Sequence, residues 1–330
     1  MPNIDWVDDP DAPHRRGIRL ARPARRNAID LAMLLEIREA LAVWERDPAI
    51  TELCISSAVP GMFSAGGDIA AFVGDGALDP AYQRRFLDTE YVLLAAIRAS
   101  RLRTVCRVDG LAMGGGLGLA MACSRRLIGR QAVFAMPELA IGLIPDVGAS
   151  GFLARPSVGH GLVMALSGYR AAAGEAARWG WGESPAASEA SAVGGLEIDA
   201  LAGNFAALGS AFDGFAHLEK VLPEGDHARV FAGRCSALSA TVFWYLLNEG
   251  RVATLGYPQR LAVERDLVGK LTASGEFPKG IAAFLGKRRA DFEFGTLAEP
   301  LQPGRCLSLA RQWVADSLGQ AVLPDTQEME

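Results

Sequence analysis

Residues 104–123 read TVCRVDGLAMGGGLGLAMAC. The first seven are β-branched and apolar up to an Asp-Gly signal, which predicts a short strand over 104–110. The glycines of DGLAMGGGLGLA (109–120) follow, and the small residues over 115–123 let a helix start close against that strand. Glycine at such a junction admits unusual dihedrals and close approach of a ligand, and a helix N-terminus adds free N–H groups with a favourable dipole. The cluster is not the dinucleotide-binding pattern GxGxxG, because Leu119 holds the last glycine position.

Upstream, a second glycine cluster, FSAGGDI (63–69), follows the predicted strand TELCISS (51–57). Each cluster is placed to expose backbone amides where a thioester enolate or tetrahedral oxyanion would develop charge, with Gly67 and Gly115 as the candidate donors. The short runs GIRLAR (17–22) and RLIGR (126–130) alternate with helical patterns over 31–47 and 80–100, so repeated ββα or βαβ units of an α/β protein are expected. Downstream, FAMPELAIGLIPDVGASGFL (134–153) sets Glu138 and Asp146 among apolar residues, Pro and Gly. Burial there raises a carboxylate's pKa towards working pH, which suits a general base or acid.

Bulk properties narrow the class. A chain of 330 residues, 50% hydrophobic, can bury a sizeable core. The formal charge of −5 removes any general electrostatic reason to bind nucleic acid or an anionic membrane. Five scattered cysteines suggest neither a disulfide framework nor a zinc site. The opening MPNIDWVDDPDAPHRR lacks the pattern of a signal peptide and no apolar run reaches eighteen residues, so a cytoplasmic, non-membrane protein is expected. GxSxG, HExxH, CxxC and GxxxxGK[ST] are all missing, and His14, His160, His217 and His227 have no partner at metal or triad spacing in sequence. Carboxylate chemistry becomes the default, with no metal. From about 184 to 223 the chain turns rich in Ala, Gly, Ser and acid, and helical stretches follow around 237–249, 259–272 and 278–291. Two regions are therefore expected: a catalytic core over 1–190, and a mainly helical region over 191–330 that completes the ligand site and oligomer contacts. The closing AVLPDTQEME is expected to be loose.

NAID (27–30), FSAGGDI, DGLAMGGG and MPELAIGLIPDVG, in this order, resemble the crotonase (enoyl-CoA hydratase/isomerase) superfamily over most of residues 15–185. The resemblance implies stacked ββα units with a helical C-terminal region, an acyl-CoA substrate bound in a bent shape, and an oxyanion hole at the Gly67 and Gly115 amides. It places the adenine and phosphates of CoA near the segment before NAID and near FSAGGD, which marks Arg22, Arg25, Ala65 and Asp68, with Arg26 beside them. KGIAAFLGKRRADF (279–292) resembles the superfamily's C-terminal helix, where an aromatic residue and a Lys help hold CoA; Phe284 and Lys287 match. Coenzyme A is part of the substrate, so no separate cofactor is implied, and a homo-oligomer, trimer or hexamer, is the accompanying expectation.

Within that superfamily, hydratases carry one Glu two residues beyond the GGG run and a second in the PE motif. This chain keeps the second, Glu138, and has Gly118 in place of the first. An Asp eight residues after Glu138, at Asp146, is similar to 3-hydroxyisobutyryl-CoA hydrolases, as is a glutamate before Tyr on the preceding helix, here Glu90 and Tyr91. The resemblance implies hydrolysis of a short 3-hydroxyacyl-CoA, with Glu138 activating water or attacking to give an anhydride. Asp146 orients water or the 3-hydroxyl, and Glu90 adds a hydrogen bond. Two departures stand: the usual acidic-Gly-Val-Arg-Ala stretch reads KGIAA, and the Asn that often follows that Tyr by two residues is missing. An enoyl-CoA isomerase or hydratase working through Glu138 is the alternative, and a non-catalytic CoA-binding scaffold the third reading.

Overall fold

The computed structural model describes residues 3–74, 77–185, 198–207 and 227–320. The expected boundary at 190–191 and the closing segment 321–330 lie outside the described residues. These residues form two compact units, one drawn from 3–74, 77–135 and 171–185 and the other from 136–170, 198–207 and 227–320.

Besides a two-residue antiparallel ribbon (Val73–Gly74 with Ala77–Leu78), the described residues of the first unit form two larger sheets from nine strands: β1 (Ile4–Asp8), β2 (Arg15–Leu20), β3 (Glu52–Ser57), β4 (Met62–Ser64), β5 (Arg103–Val108), β6 (Leu111–Met113), β7 (Arg125–Ile128), β8 (Val133–Ala135) and β9 (Ala171–Ala172). One sheet runs β1-β2-β3-β5-β7 and the other β9-β8-β6-β4. Successive pairs split between them, β3, β5 and β7 lying in the larger sheet and β4, β6 and β8 in the smaller. β2, β3, β5 and β7 are mutually parallel, with Ile18 opposite Ile55 and Ile55 opposite Cys106. β4, β6 and β8 are parallel too. Parallel neighbours require crossovers, and α1 (Leu31–Arg46), α2 (Pro80–Ala99) and α3 (Gly115–Ala122) provide them. This is the repeated ββα pattern that the alternating sequence implied. Asp30 caps α1 by accepting from the Met33 N–H at 2.9 Å, and Met33, Leu34, Ile37 and Leu41 recur at helical spacing on its buried face.

The second unit includes the helices α4 (Ala149–Phe152), α5 (Val158–Ser167), α6 (Ile198–Ala207), α7 (His227–Ala232), α8 (Ala237–Asn248), α9 (Tyr257–Ala273), α10 (Glu276–Leu285) and α11 (Pro303–Gly319), with α6 and α7 packed on α5 and α9 packed on α10 and α11. Helix α8 is apolar on every face, with Leu238, Val242, Phe243, Trp244 and Leu246 fully buried, and packs on α5 and α11. The expected stretch 278–291 ends earlier, at Leu285: Gly286 takes the C-terminal position and Lys287 turns left-handed at φ 50°, which stops the helix. Among the described residues no helix is long and apolar enough to cross a membrane.

Candidate functional site

Asn27 organises the first glycine cluster. Fully buried, it donates through Nδ2 to Ser57 Oγ at 2.8 Å, Phe63 O at 3.1 Å and Leu20 O at 3.3 Å, while its Oδ1 accepts from the Arg22 N–H at 2.8 Å. Arg26 and Asn27 are both left-handed (φ 53° and 52°), which turns the chain out of β2 and lays residues 27–29 beside the FSAGGD segment. There Ile29 donates to Gly66 O at 2.8 Å and accepts from the Asp68 N–H at 2.7 Å. The Gly67 N–H, between those two bonds, faces away from Ile29.

Gly115 opens α3, so its N–H has no acceptor within the helix. Among the described residues neither the Gly67 nor the Gly115 N–H donates to another protein group. They stand close together: a Cβ on Gly115 would lie 3.5 Å from the Gly67 nitrogen, and one on Gly66 would lie 3.5 Å from the Gly115 nitrogen. A Cβ on Gly115 would also overlap Glu90 Oε1, so the Glu90 carboxyl, 4% exposed on α2, packs directly against this glycine. The first unit thus brings Gly67, Gly115 and Glu90 into one place.

In the second unit, Glu138 begins a 3-10 turn, Glu138–Ile141, and is 8% exposed. That turn is fixed against α10, because a Cβ on Gly142 would overlap the Glu276 carbonyl and one on Gly280 would overlap Ile141 O. The Glu276 carboxyl is itself buried, accepts from Ser236 Oγ and from the Phe294 N–H, and is pushed upward in pKa by that burial. Asp146, 7% exposed, precedes Val147 at φ 54° and Gly148 at φ 89°. A positive φ at a β-branched residue is a genuine outlier. Glu264 of α9 holds this turn: Oε2 accepts from the Gly148 N–H at 2.6 Å and Oε1 from the Ser150 N–H at 2.8 Å. Glu264 is fully buried, and burial raises its pKa to about 7 against the lowering effect of those bonds, with the nearby Asp146 charge raising it further.

The residues expected to meet CoA are placed as follows. Arg22 donates to Asp68 at 2.7 Å and to Ala28 O at 2.9 Å, and pairs with Asp30 at 3.3 Å. Asp68 is buried in that ion pair, the Ala65 N–H donates to Arg26 O, and Arg25 is exposed. In the second unit Phe284 is 60% exposed and Lys287 lies exposed just past α10. Among the described residues no cluster of side chains could hold a metal.

His160 finds its partners through the fold, Ser157 Oγ at Nδ1 (2.7 Å) and Asp199 Oδ1 at Nε2 (2.8 Å). Ser157 is the N-cap of α5, accepting from the His160 N–H, so the hydroxyl serves the helix end; the partner at Asp199 is 39 residues away in sequence and invisible to local spacing. His217 and the side chain of His227 lie outside the described residues. Glu264 went unanticipated, although LAVERDLV carries a signal: the acid falls on the same helical stripe as Leu261, Leu267, Val268 and Leu271, all fully buried.

Two sheets of stacked ββα units with paired glycine amides define a crotonase fold. Residues 15–217 match the enoyl-CoA hydratase/isomerase family, and the chain belongs to it. It is 40% identical over 153 residues to the mitochondrial 3-hydroxyisobutyryl-CoA hydrolase of Xenopus laevis, and 42% identical over 154 residues to that of Xenopus tropicalis. Each match takes in 46% of this chain and 40% of the relative, so the chain spans about two-fifths of the length of these curated relatives. A crystal structure of an enoyl-CoA hydratase from Rhodobacter sphaeroides 2.4.1 superposes with a TM-score of 0.79 at 26% identity, over 98% of this chain and 100% of that one.

Proposed function

We propose that this protein hydrolyses a short-chain 3-hydroxyacyl-CoA thioester, foremost 3-hydroxyisobutyryl-CoA, to the free acid and CoA. The observation that carries the acyl-CoA reading is the pair of neighbouring N–H groups at Gly67 and Gly115 with no protein acceptor among the described residues. Two fixed, neighbouring donors stabilise the oxyanion of a thioester without reorganising when charge develops.

Glu138 is the working carboxylate. In one route its oxygen adds to the thioester carbon, the C–S bond breaks, CoA leaves as thiolate and takes up a proton, and water opens the resulting anhydride. In the other Glu138 takes a proton from water as hydroxide adds, and the proton passes to the departing sulfur. Asp146 orients the water or the substrate 3-hydroxyl, and Glu90 contributes a further hydrogen bond. Arg22, Arg25, Ala65, Asp68, Phe284 and Lys287 are assigned to CoA; Arg25 and Lys287, both exposed, are the cations offered to its phosphates. Arg22 acts by holding Asp68 and the NAID turn in place.

Hydration is the competing reaction, since the Rhodobacter sphaeroides relative is an enoyl-CoA hydratase. Gly118 weighs against it: the buried helix α3 offers no carboxylate there, and losing a positioned acid-base group costs roughly a hundredfold to ten-thousandfold in rate. Parallel assays with 3-hydroxyisobutyryl-CoA and crotonyl-CoA test the reading, following thiol release and loss of the enoyl absorbance. Thiol release is expected; absorbance loss without it would assign the chain to hydration, and neither would leave a CoA-binding scaffold.

A further inference from the structure

Asp146 sits in a turn that its own residues do not favour. Val147 is left-handed at φ 54°, a conformation L side chains adopt rarely and β-branched ones least, and Gly148 follows at φ 89° with the Tyr257 ring so near that a Cβ there would come within 2.6 Å of it. Such a backbone persists only where its surroundings over-determine it. Glu264 supplies that constraint: it approaches from α9, more than a hundred residues away in sequence, and its two oxygens take the Gly148 and Ser150 N–H groups separately.

The residue type matters. A glutamine could present one carbonyl oxygen, and its NH2 would then face an N–H donor; only a carboxylate satisfies both amides. A neutral fold would avoid placing such a group in full burial beside the charge of Asp146, because an ionisable side chain there is costly. That cost is understandable where the turn's geometry is worth more than local stability.

We infer that Glu264 is the positioning residue for Asp146: it clamps the IPDVGAS turn and so sets where the Asp146 carboxylate stands. The inference rests on the proposed thioester hydrolysis. Glu264 touches no substrate and acts only through the turn, so its contribution to turnover exists only while Asp146 is present.

The test is a double-mutant cycle on hydrolysis of 3-hydroxyisobutyryl-CoA with the parent, Glu264→Gln, Asp146→Gly and the double variant, each checked for a cooperative thermal transition. Glu264→Gln is expected to lower kcat tenfold or more with KM within twofold, and to cost less than twofold further when Asp146 is already Gly. An unchanged kcat overturns the inference, as does an equal fold-loss in both backgrounds, which is what general loosening of the protein would give. If Glu264→Gln does not fold, Glu264→Asp, which keeps the charge on a shorter stem, enters the same cycle under the same criteria. If Asp146→Gly has no measurable rate, Asp146→Asn supplies the background. A parent that releases no thiol overturns the proposed function and this inference with it; an active parent with an indifferent Glu264→Gln overturns the inference alone.

Discussion

Gly115 and Glu90 are packed so closely that any side chain at residue 115 would overlap the Glu90 carboxyl. The amide that opens α3 therefore depends on the absence of a single methyl group. Gly115→Ala must displace either the helix start or Glu90. It is expected to lower kcat about a hundredfold, the scale of losing one oxyanion donor, with a stability loss of roughly 1–3 kcal/mol from overpacking. Adding Glu90→Ala to it opens room for the methyl and should recover stability, read by thermal melting. Adding Glu90→Gln, which keeps the bulk, should not.

Glu138→Gln is expected to reduce turnover by roughly a hundredfold to ten-thousandfold while CoA-ester affinity stays within a few-fold, because the change deletes the base or nucleophile and keeps its shape. Calorimetric binding beside single-turnover thiol release checks it. Parent-like turnover in this variant removes Glu138 from the chemistry.

Asp146→Gly should depress hydrolysis of 3-hydroxyisobutyryl-CoA strongly and hydrolysis of isobutyryl-CoA less, since the deleted group is assigned to the 3-hydroxyl or to its water. The ratio of kcat/KM for the two esters is the measurement. An unchanged ratio with an unchanged rate would leave hydration or isomerisation as the better reading.

Glu264 also makes a prediction about stability and pH. Its folded pKa, about 7, lies above the ordinary value of 4.5, so the native state holds this proton more tightly than the unfolded chain. The stabilisation from protonated Glu264 is complete below pH 4.5 and is lost as pH rises through about 7. For a fully buried group the whole change is on the order of 3 kcal/mol. Glu264→Gln has no proton to lose. The difference in unfolding free energy, parent minus variant, should therefore fall between pH 5 and 8 in urea titrations; a flat difference would show that Glu264 does not titrate there.

The parallel ββα architecture was legible because its strands are short apolar runs bounded by Gly and Asp, and because α1 repeats its apolar residues at helical spacing. The burial of Glu138 and Asp146 was legible too, each being an acid inside an otherwise apolar stretch. Glu264 was not, since a lone acid between Val263 and Arg265 reads as a solvated position until the stripe of Leu261, Leu267 and Leu271 is laid out. Helix α11 escaped for a related reason. Its buried face is built from Cys306, Ala310, Val314 and Ser317, whose small side chains give little contrast with the exposed face. Ser57 and Phe63 as partners of Asn27, and Asp199 as a partner of His160, come from segments distant in sequence, which no local pattern encodes.

The bonds of Asn27 have a kinetic meaning. Its amide closes on Leu20, Ser57 and Phe63, the ends or edges of three different strands, and none of those acceptors is in position until β2, β3 and β4 have docked. Asn27→Ala reads out when this lock closes: faster unfolding with an unchanged folding rate places its closure after the folding barrier, and slower folding places it before. In the first case the residue sets the lifetime of the assembled glycine loop through contacts that join three strands at once.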